Sequence, residues 1–242
     1  MTIMWQETST HTRIKLCLFE HLEAAYEASQ LGPDALGFHI LKADKESWDK
    51  KAEAFRTFLQ VLPRSVQPTL LIDHSPEITL RCLAVARFPC VQLYPDWEPD
   101  IIQGLRASTA HPFKILKVLS AQAQENDPSD FAAFLAHYSP VADGFLLDSC
   151  REGGSGTLAD LSVCADIVRM SKRPVFLAGG LTPENVGEAI RTVRPFGVDV
   201  ETGVSDRVPG IGLLKSIRKC TAFIDAVRQA DRALLNETHH DG

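Results

Sequence analysis

Short apolar runs alternate along the chain with longer segments in which charged and apolar positions share a helical period, the pattern of parallel strands joined by helices. RIKLCL, residues 13–18, reads as a strand, and the stretch 20–31 as a helix that Gly32 and Pro33 stop. DALGFHI at 34–40 is a second strand, with an amphipathic helix over about 45–61. PTLLID at 68–73 precedes a helix that starts with Ser75 as N-cap and Pro76 in the first helical position.

The pattern then repeats. PCVQLY (89–94), FKILKVL (113–119), GFLLDS, PVFLAG and GVDVET read as strands, followed by helices near 97–108, 128–138, 158–171, 183–193 and 212–230. Eight β/α units with short connections predict a single-domain α/β protein, a closed (β/α)8 TIM barrel over residues 13–230. An open doubly wound sheet is the alternative. Residues 1–12 and 231–242 are expected to be flexible ends.

Composition narrows the function. A chain of 242 residues with 45% apolar content can bury a substantial core. The formal charge of −6, with dispersed basic residues, argues against a nucleic-acid partner and favours small-molecule chemistry; the small phosphorylated substrate is expected from the glycine turns described below. No apolar run approaches a membrane span, and MTIMWQETSTHT is too polar for a secretory signal. Cys17, Cys82, Cys90, Cys150, Cys164 and Cys220 form no C-x-x-C pair, so a reducing cytoplasm, no disulfide framework and no metal site are expected. The expected assembly is a monomer or homodimer.

Chemistry is concentrated at the predicted strand ends. Gly179 and Gly180 let backbone approach a ligand closely, and Leu181-Thr182-Pro183 opens a helix whose free N–H groups favour an anion. Thr202-Gly203 makes a second glycine turn after the eighth strand, where barrels commonly hold phosphate. The loop containing Gly154, Ser155 and Gly156 is placed near the ligand, as a cradle or a mobile cover.

Asp148 ends an apolar run, where desolvation would suit a carboxyl to general-acid work; capping is the alternative. Cys17 ends the first strand and becomes a competent base if a neighbouring cation lowers its pKa; a buried structural cysteine is the alternative. By strand alternation Lys15 and Cys17 share one side, as do Asp199 and Glu201. Closure sets strands one and eight side by side, so Lys15 and Asp199 are predicted to form an interior ion pair.

KLC at 15–17, GPDALGF at 32–38, VQL at 91–93, FLLDS at 145–149, GGSG at 153–156, LAGGLTPENVGEAI at 177–190 and VRPFGVDVETGV at 193–204 together resemble the phosphoribosylanthranilate isomerases of tryptophan biosynthesis. The resemblance implies a cofactor-free Amadori rearrangement of an aminoaldose phosphate to an aminoketose phosphate. It casts Asp148 as the acid that protonates the ring oxygen and Cys17 as the base that takes the C2′ proton. It makes Gly179, Gly180, Thr202 and Gly203 the phosphate-holding positions, with Gln92 close to the ligand.

The departures concern recognition. Where the family carries an arginine for the anthranilate carboxylate, this chain reads FHILKADKES, with Lys42 and Lys45 as imperfect replacements. Leu18 replaces a glycine, Tyr94-Pro95 a His-Gly, and Glu201-Thr202 a Ser-Ser. His39 is a further candidate for substrate contact. The reaction type is thus expected with the substrate's aromatic part open; another sugar-phosphate reaction, or binding of a phosphorylated ligand without catalysis, are the alternatives.

Overall fold

A computed structural model describes residues 3–5, 11–43, 46–120, 128–148, 160–210 and 212–238. Strands β1 (Arg13–Leu16), β2 (Ala35–Ile40), β3 (Gln67–Ile72), β4 (Cys90–Leu93), β5 (Lys114–Ser120), β6 (Gly144–Asp148), β7 (Val175–Ala178) and β8 (Gly197–Val200) close into a barrel in that order. Every pairing is parallel, and β1 meets β8 with Lys15 opposite Asp199. The open-sheet alternative is excluded by that seam.

Helices α1 (Leu22–Ser29), α2 (Trp48–Phe58), α3 (Pro76–Ala86), α4 (Pro99–Ala107), α5 (Pro128–Tyr138), α6 (Leu161–Met170), α7 (Val186–Val193) and α8 (Ile217–Thr238) follow the eight strands. Strand alternation sorts the core into two layers. Outward residues such as Leu36, Phe38, Ile40 and Val198 pack beneath the helices, whereas Ala35, Cys90, Leu116, Leu146 and Phe176 fill the interior. The predicted α3 start holds, with Pro76 in the first turn and Ser75 Oγ accepting from the Ile78 N–H.

Several boundaries differ from the sequence expectation. β1 ends at Leu16, so Cys17 stands in the loop beyond it, and the left-handed turn follows at Leu18 (φ 61°). A bulky side chain in that region carries strain of roughly 1–2 kcal/mol, consistent with the glycine the resemblance places there. α7 begins at Val186 instead of Pro183, and the turn before it is capped by side chains, Thr182 among them as expected. Thr182 N–H donates to Asn185 Oδ1 at 2.8 Å, and Glu184 N–H to Thr182 Oγ1 at 3.2 Å.

The expected helix start at 212 gives way to an antiparallel hairpin, β9 (Ser205–Val208) and β10 (Gly212–Lys215). Pro209 offers no backbone donor, and Gly210 and Gly212 adopt φ of 78° and 113°, which together break any helix in this stretch. Met4 is fully buried within the lower interior layer, and the Trp5 ring meets Phe176 edge-on at 6.0 Å. At the other end α8 continues to Thr238.

Asp231 of α8 accepts from the Thr12 N–H at 3.1 Å and from Thr12 Oγ1 at 2.6 Å, while Arg228 donates to the Thr12 carbonyl at 2.8 Å. The last helix thereby clamps the entry to β1 beside the closing seam. Replacing Asp231 with Ala leaves buried donors unsatisfied and is expected to cost about 1–3 kcal/mol. Urea unfolding followed by circular dichroism measures it; an unchanged midpoint would show that the clamp contributes nothing.

Candidate active site

The C-terminal ends of the strands surround a cavity of about 340 Å³. Cys17 enters from beyond β1, Gln92 from β4 and Tyr94 from just after it, Asp148 from the last position of β6, Asp199 from β8, and Glu201 and Thr202 from the turn that follows β8. Gly179, Gly180 and Leu181 complete the wall after β7. The barrel thus brings the predicted acid and base into one space. Asp148 is half-buried and stands in register with Ser120 and Ala178 on the neighbouring strands.

The predicted ion pair lies beneath that space. Lys15 Nζ sits 2.6 Å from Asp199 Oδ1, with the lysine side chain fully buried. Burial alone would lower the Lys15 pKa, but Asp199 and Cys17 outweigh it and hold the ammonium charged. The same ammonium donates to Cys17 Sγ at 3.0 Å. A cation therefore does adjoin the thiol, yet the expected lowering of its pKa is reversed. Burial, reinforced by the negative charge of Asp199 and opposed by Lys15, pushes the Cys17 thiol up to about 12.

The two glycine turns meet as an anion pocket requires. Gly179 and Gly180 take φ of 86° and 67°, turning the backbone out of β7 in a conformation that penalises side chains. A Cβ on Gly203 would collide with the Leu181 carbonyl oxygen, so the turn after β8 packs directly on the turn after β7. Gly203 works behind the wall, while Thr202 faces the cavity. Asn185 fastens the first turn by donating to the Gly180 carbonyl at 2.9 Å.

Around these elements lie groups suited to hydroxyls and charge. Gln92 Nε2 donates to Tyr94 Oη at 3.1 Å, while Gln92 Oε1 is buried without a hydrogen-bond partner. Burial, with nearby Cys17 and Asp199, raises the Tyr94 pKa and keeps its phenol a donor. Burial also raises the Glu201 pKa, against the opposing charge of Lys215. Lys215 Nζ donates to the Glu201 carbonyl at 2.8 Å and Ser205 Oγ at 3.0 Å.

Some expectations fall elsewhere. His39 is buried within β2 but does not line the cavity, and neither does the exposed Lys42. Lys45 and the loop with Gly154, Ser155 and Gly156 lie outside the described residues. Sequence reasoning missed the hairpin, whose Arg207 and Leu213 line the cavity. Its signal was present: two four-residue stretches, SDRV and GLLK, flank a Pro-Gly turn. Among the described residues no group of three His, Cys, Asp or Glu side chains could hold a metal ion, and no helix is long and apolar enough to cross a membrane.

A closed eightfold barrel with a carboxyl, a lysine-linked thiol and paired glycine turns at its C-terminal mouth is built as a barrel enzyme of small-molecule proton transfer. The chain belongs to the N-(5′-phosphoribosyl)anthranilate isomerase family, whose sequence profile it matches over residues 17–226. It is 35% identical over 202 residues to N-(5′-phosphoribosyl)anthranilate isomerase 2 of Methanosarcina mazei, covering 80% of this chain and 86% of that one. It is 33% identical to the isomerase of Moorella thermoacetica, covering 94% and 92% of the two chains.

Solved structures agree. The phosphoribosyl anthranilate isomerase of Thermotoga maritima superposes with a TM-score of 0.73 at 27% identity, covering 90% of this chain and 99% of that one. An isomerase in complex with reduced 1-(o-carboxyphenylamino)-1-deoxyribulose 5-phosphate superposes at 0.71 and 26% identity, with the same coverage.

A thiol pushed up to about 12 has a thiolate fraction that grows about tenfold per pH unit through the neutral and alkaline range. In a Cys150→Ser background, iodoacetamide labelling at Cys17, read by peptide mass spectrometry, is expected to be slow at pH 7 and to accelerate with that slope. Rapid labelling that is flat between pH 7 and 9 would contradict the raised value.

Proposed function

We propose that this protein isomerises N-(5′-phosphoribosyl)anthranilate to 1-(o-carboxyphenylamino)-1-deoxyribulose 5-phosphate, the Amadori step of tryptophan biosynthesis, with Asp148 as acid and Cys17 as base. The observation that carries the assignment of roles is that both groups face one cavity while the glycine turns close its β7–β8 side.

The phosphate sits against the backbone of Gly179–Gly180 and Thr202, with Gly203 packed behind them, fixing the ribose between the two proton-transfer groups. Asp148 donates to the furanose ring oxygen as the C1′–O bond breaks, and the anthranilate nitrogen supplies the electron pair that forms C1′=N. Cys17, as thiolate, removes the C2′ proton. The electrons of that C–H bond form C1′=C2′ while those of the C=N bond return to nitrogen. Tautomerisation of the resulting enol to the C2′ ketone, with protonation at C1′, completes an isomerisation in which every atom is conserved.

Gln92 Oε1 and the Tyr94 phenol serve as acceptor and donor for ribose hydroxyls, both already at the wall. Glu201 is compatible with a bound phosphate because burial weakens its tendency to ionise. The protein works as a monomer or homodimer; a solved relative at 25% identity is a monomeric form of the dimeric isomerase of Thermotoga maritima.

The test is direct. Purified protein should abolish the fluorescence of phosphoribosylanthranilate with time, and Asp148→Ala and Cys17→Ala should each lower kcat by about 10²–10⁴-fold. Full turnover in either variant would remove the role assigned to that residue, and no turnover by the wild type would remove the activity.

A further inference from the structure

The cavity is short of positive charge. Asp148, Asp199 and Glu201 line it, and Arg207 is the one lysine or arginine among its described lining residues. Lys15 is spent on Asp199 and Cys17 below, and Lys215 on the Glu201 carbonyl and Ser205. An aromatic carboxylate entering this space finds no other cationic side chain among the described lining residues to pair with.

Arg207 is placed and left available for that task. In the hairpin it stands opposite Leu213, and Ser205 stands opposite Lys215 one rung below, so these four share the face turned to the mouth. Lys215 Nζ lies 5.8 Å over the Phe19 ring, which directs this face toward the β1 side of the mouth. The glycine turns follow β7 and β8, and β8 is the strand that pairs with β1, so the hairpin rises from the same side of the mouth. Asp206, on the outer face, is taken by Lys219 at 2.7 Å. The exposed Arg207 guanidinium makes neither an ion pair nor a hydrogen bond with any described residue, so all its donors face solvent and the cavity.

Resting on the isomerase reading, we propose that Arg207 is the specificity-determining residue for the non-sugar half of the substrate: its planar guanidinium grips the carboxylate of the aromatic amine while Leu213 covers the ring. A guanidinium fork matches a carboxylate with two parallel hydrogen bonds, a geometry that a single ammonium lacks.

The experiment compares full-length wild type, Arg207→Ala and Arg207→Lys on phosphoribosylanthranilate and on phosphoribosylaniline, which lacks the carboxylate. Wild type should prefer the carboxylated compound in kcat/KM by about 10- to 100-fold. Arg207→Ala should erase that preference by raising KM for the carboxylated compound, and Arg207→Lys should restore only part of it. Undiminished preference in Arg207→Ala overturns the proposal. So does an equal loss on both compounds, which would put the guanidinium on the phosphate.

Calorimetric binding of the reduced product, with and without its carboxylate, reads the same contact in the absence of turnover. A wild type that binds both alike also overturns the proposal. Lack of turnover by the wild type overturns the isomerase reading instead, so the two failures are distinct.

Discussion

The buried pair between Lys15 and Asp199 is the constraint on which both closure and chemistry rest. It joins the first strand to the last at the seam where a sheet becomes a barrel, with the ammonium wholly removed from water. Burying either charge alone is costly, and breaking such a pair typically forfeits about 3–5 kcal/mol. The partner is therefore required, and it can only be supplied once β8 has come round to β1. The same ammonium reaches Cys17, so the interaction that marks correct closure also orients the proposed base.

Above that pair the molecule divides its work. Strand ends and the turns bound to them hold the acid, the base and the glycine backbone in fixed relation. The hairpin brings Arg207 and Leu213 to the cavity, where the proposed recognition of the substrate's aromatic half takes place. Chemistry held by strands tolerates change in the hairpin, because no strand hydrogen bond depends on it. The absence of an arginine in FHILKADKES is then compatible with a retained reaction, provided that a cation reaches the cavity from another flank.

How much was legible follows from what each feature depends on. The eight strands and their order were readable because short apolar runs alternate with helical segments, and the Lys15–Asp199 pair followed from strand alternation plus closure. The capping role of Thr182 was readable as well, since its hydroxyl accepts the Glu184 N–H, although the regular helix starts only at Val186. The hairpin was hidden because its four-residue strands abut a long helix and lack an alternating apolar face. The burial of Met4 was hidden too, since a polar lead-in does not reveal that the barrel floor has room for it. The sense of the Cys17 shift required three dimensions: the cation was visible in KLC, but the degree of burial that outweighs it was not.

That raised thiol imposes an order on the proposed reaction. With its pKa pushed well above neutrality by burial, Cys17 is protonated in the free enzyme at pH 7, so proton removal does not lead. Ring opening changes the local charge. Once Asp148 has protonated the departing ring oxygen, the C1′=N group carries positive charge next to C2′, beside Cys17, and a cation at that distance draws a thiol pKa down. It also acidifies the C2′ proton by offering its electrons a sink. Acid first and base second is thus the electrostatically consistent sequence, and a thiol that stays protonated until the ring has opened is spared from reacting before the substrate needs it.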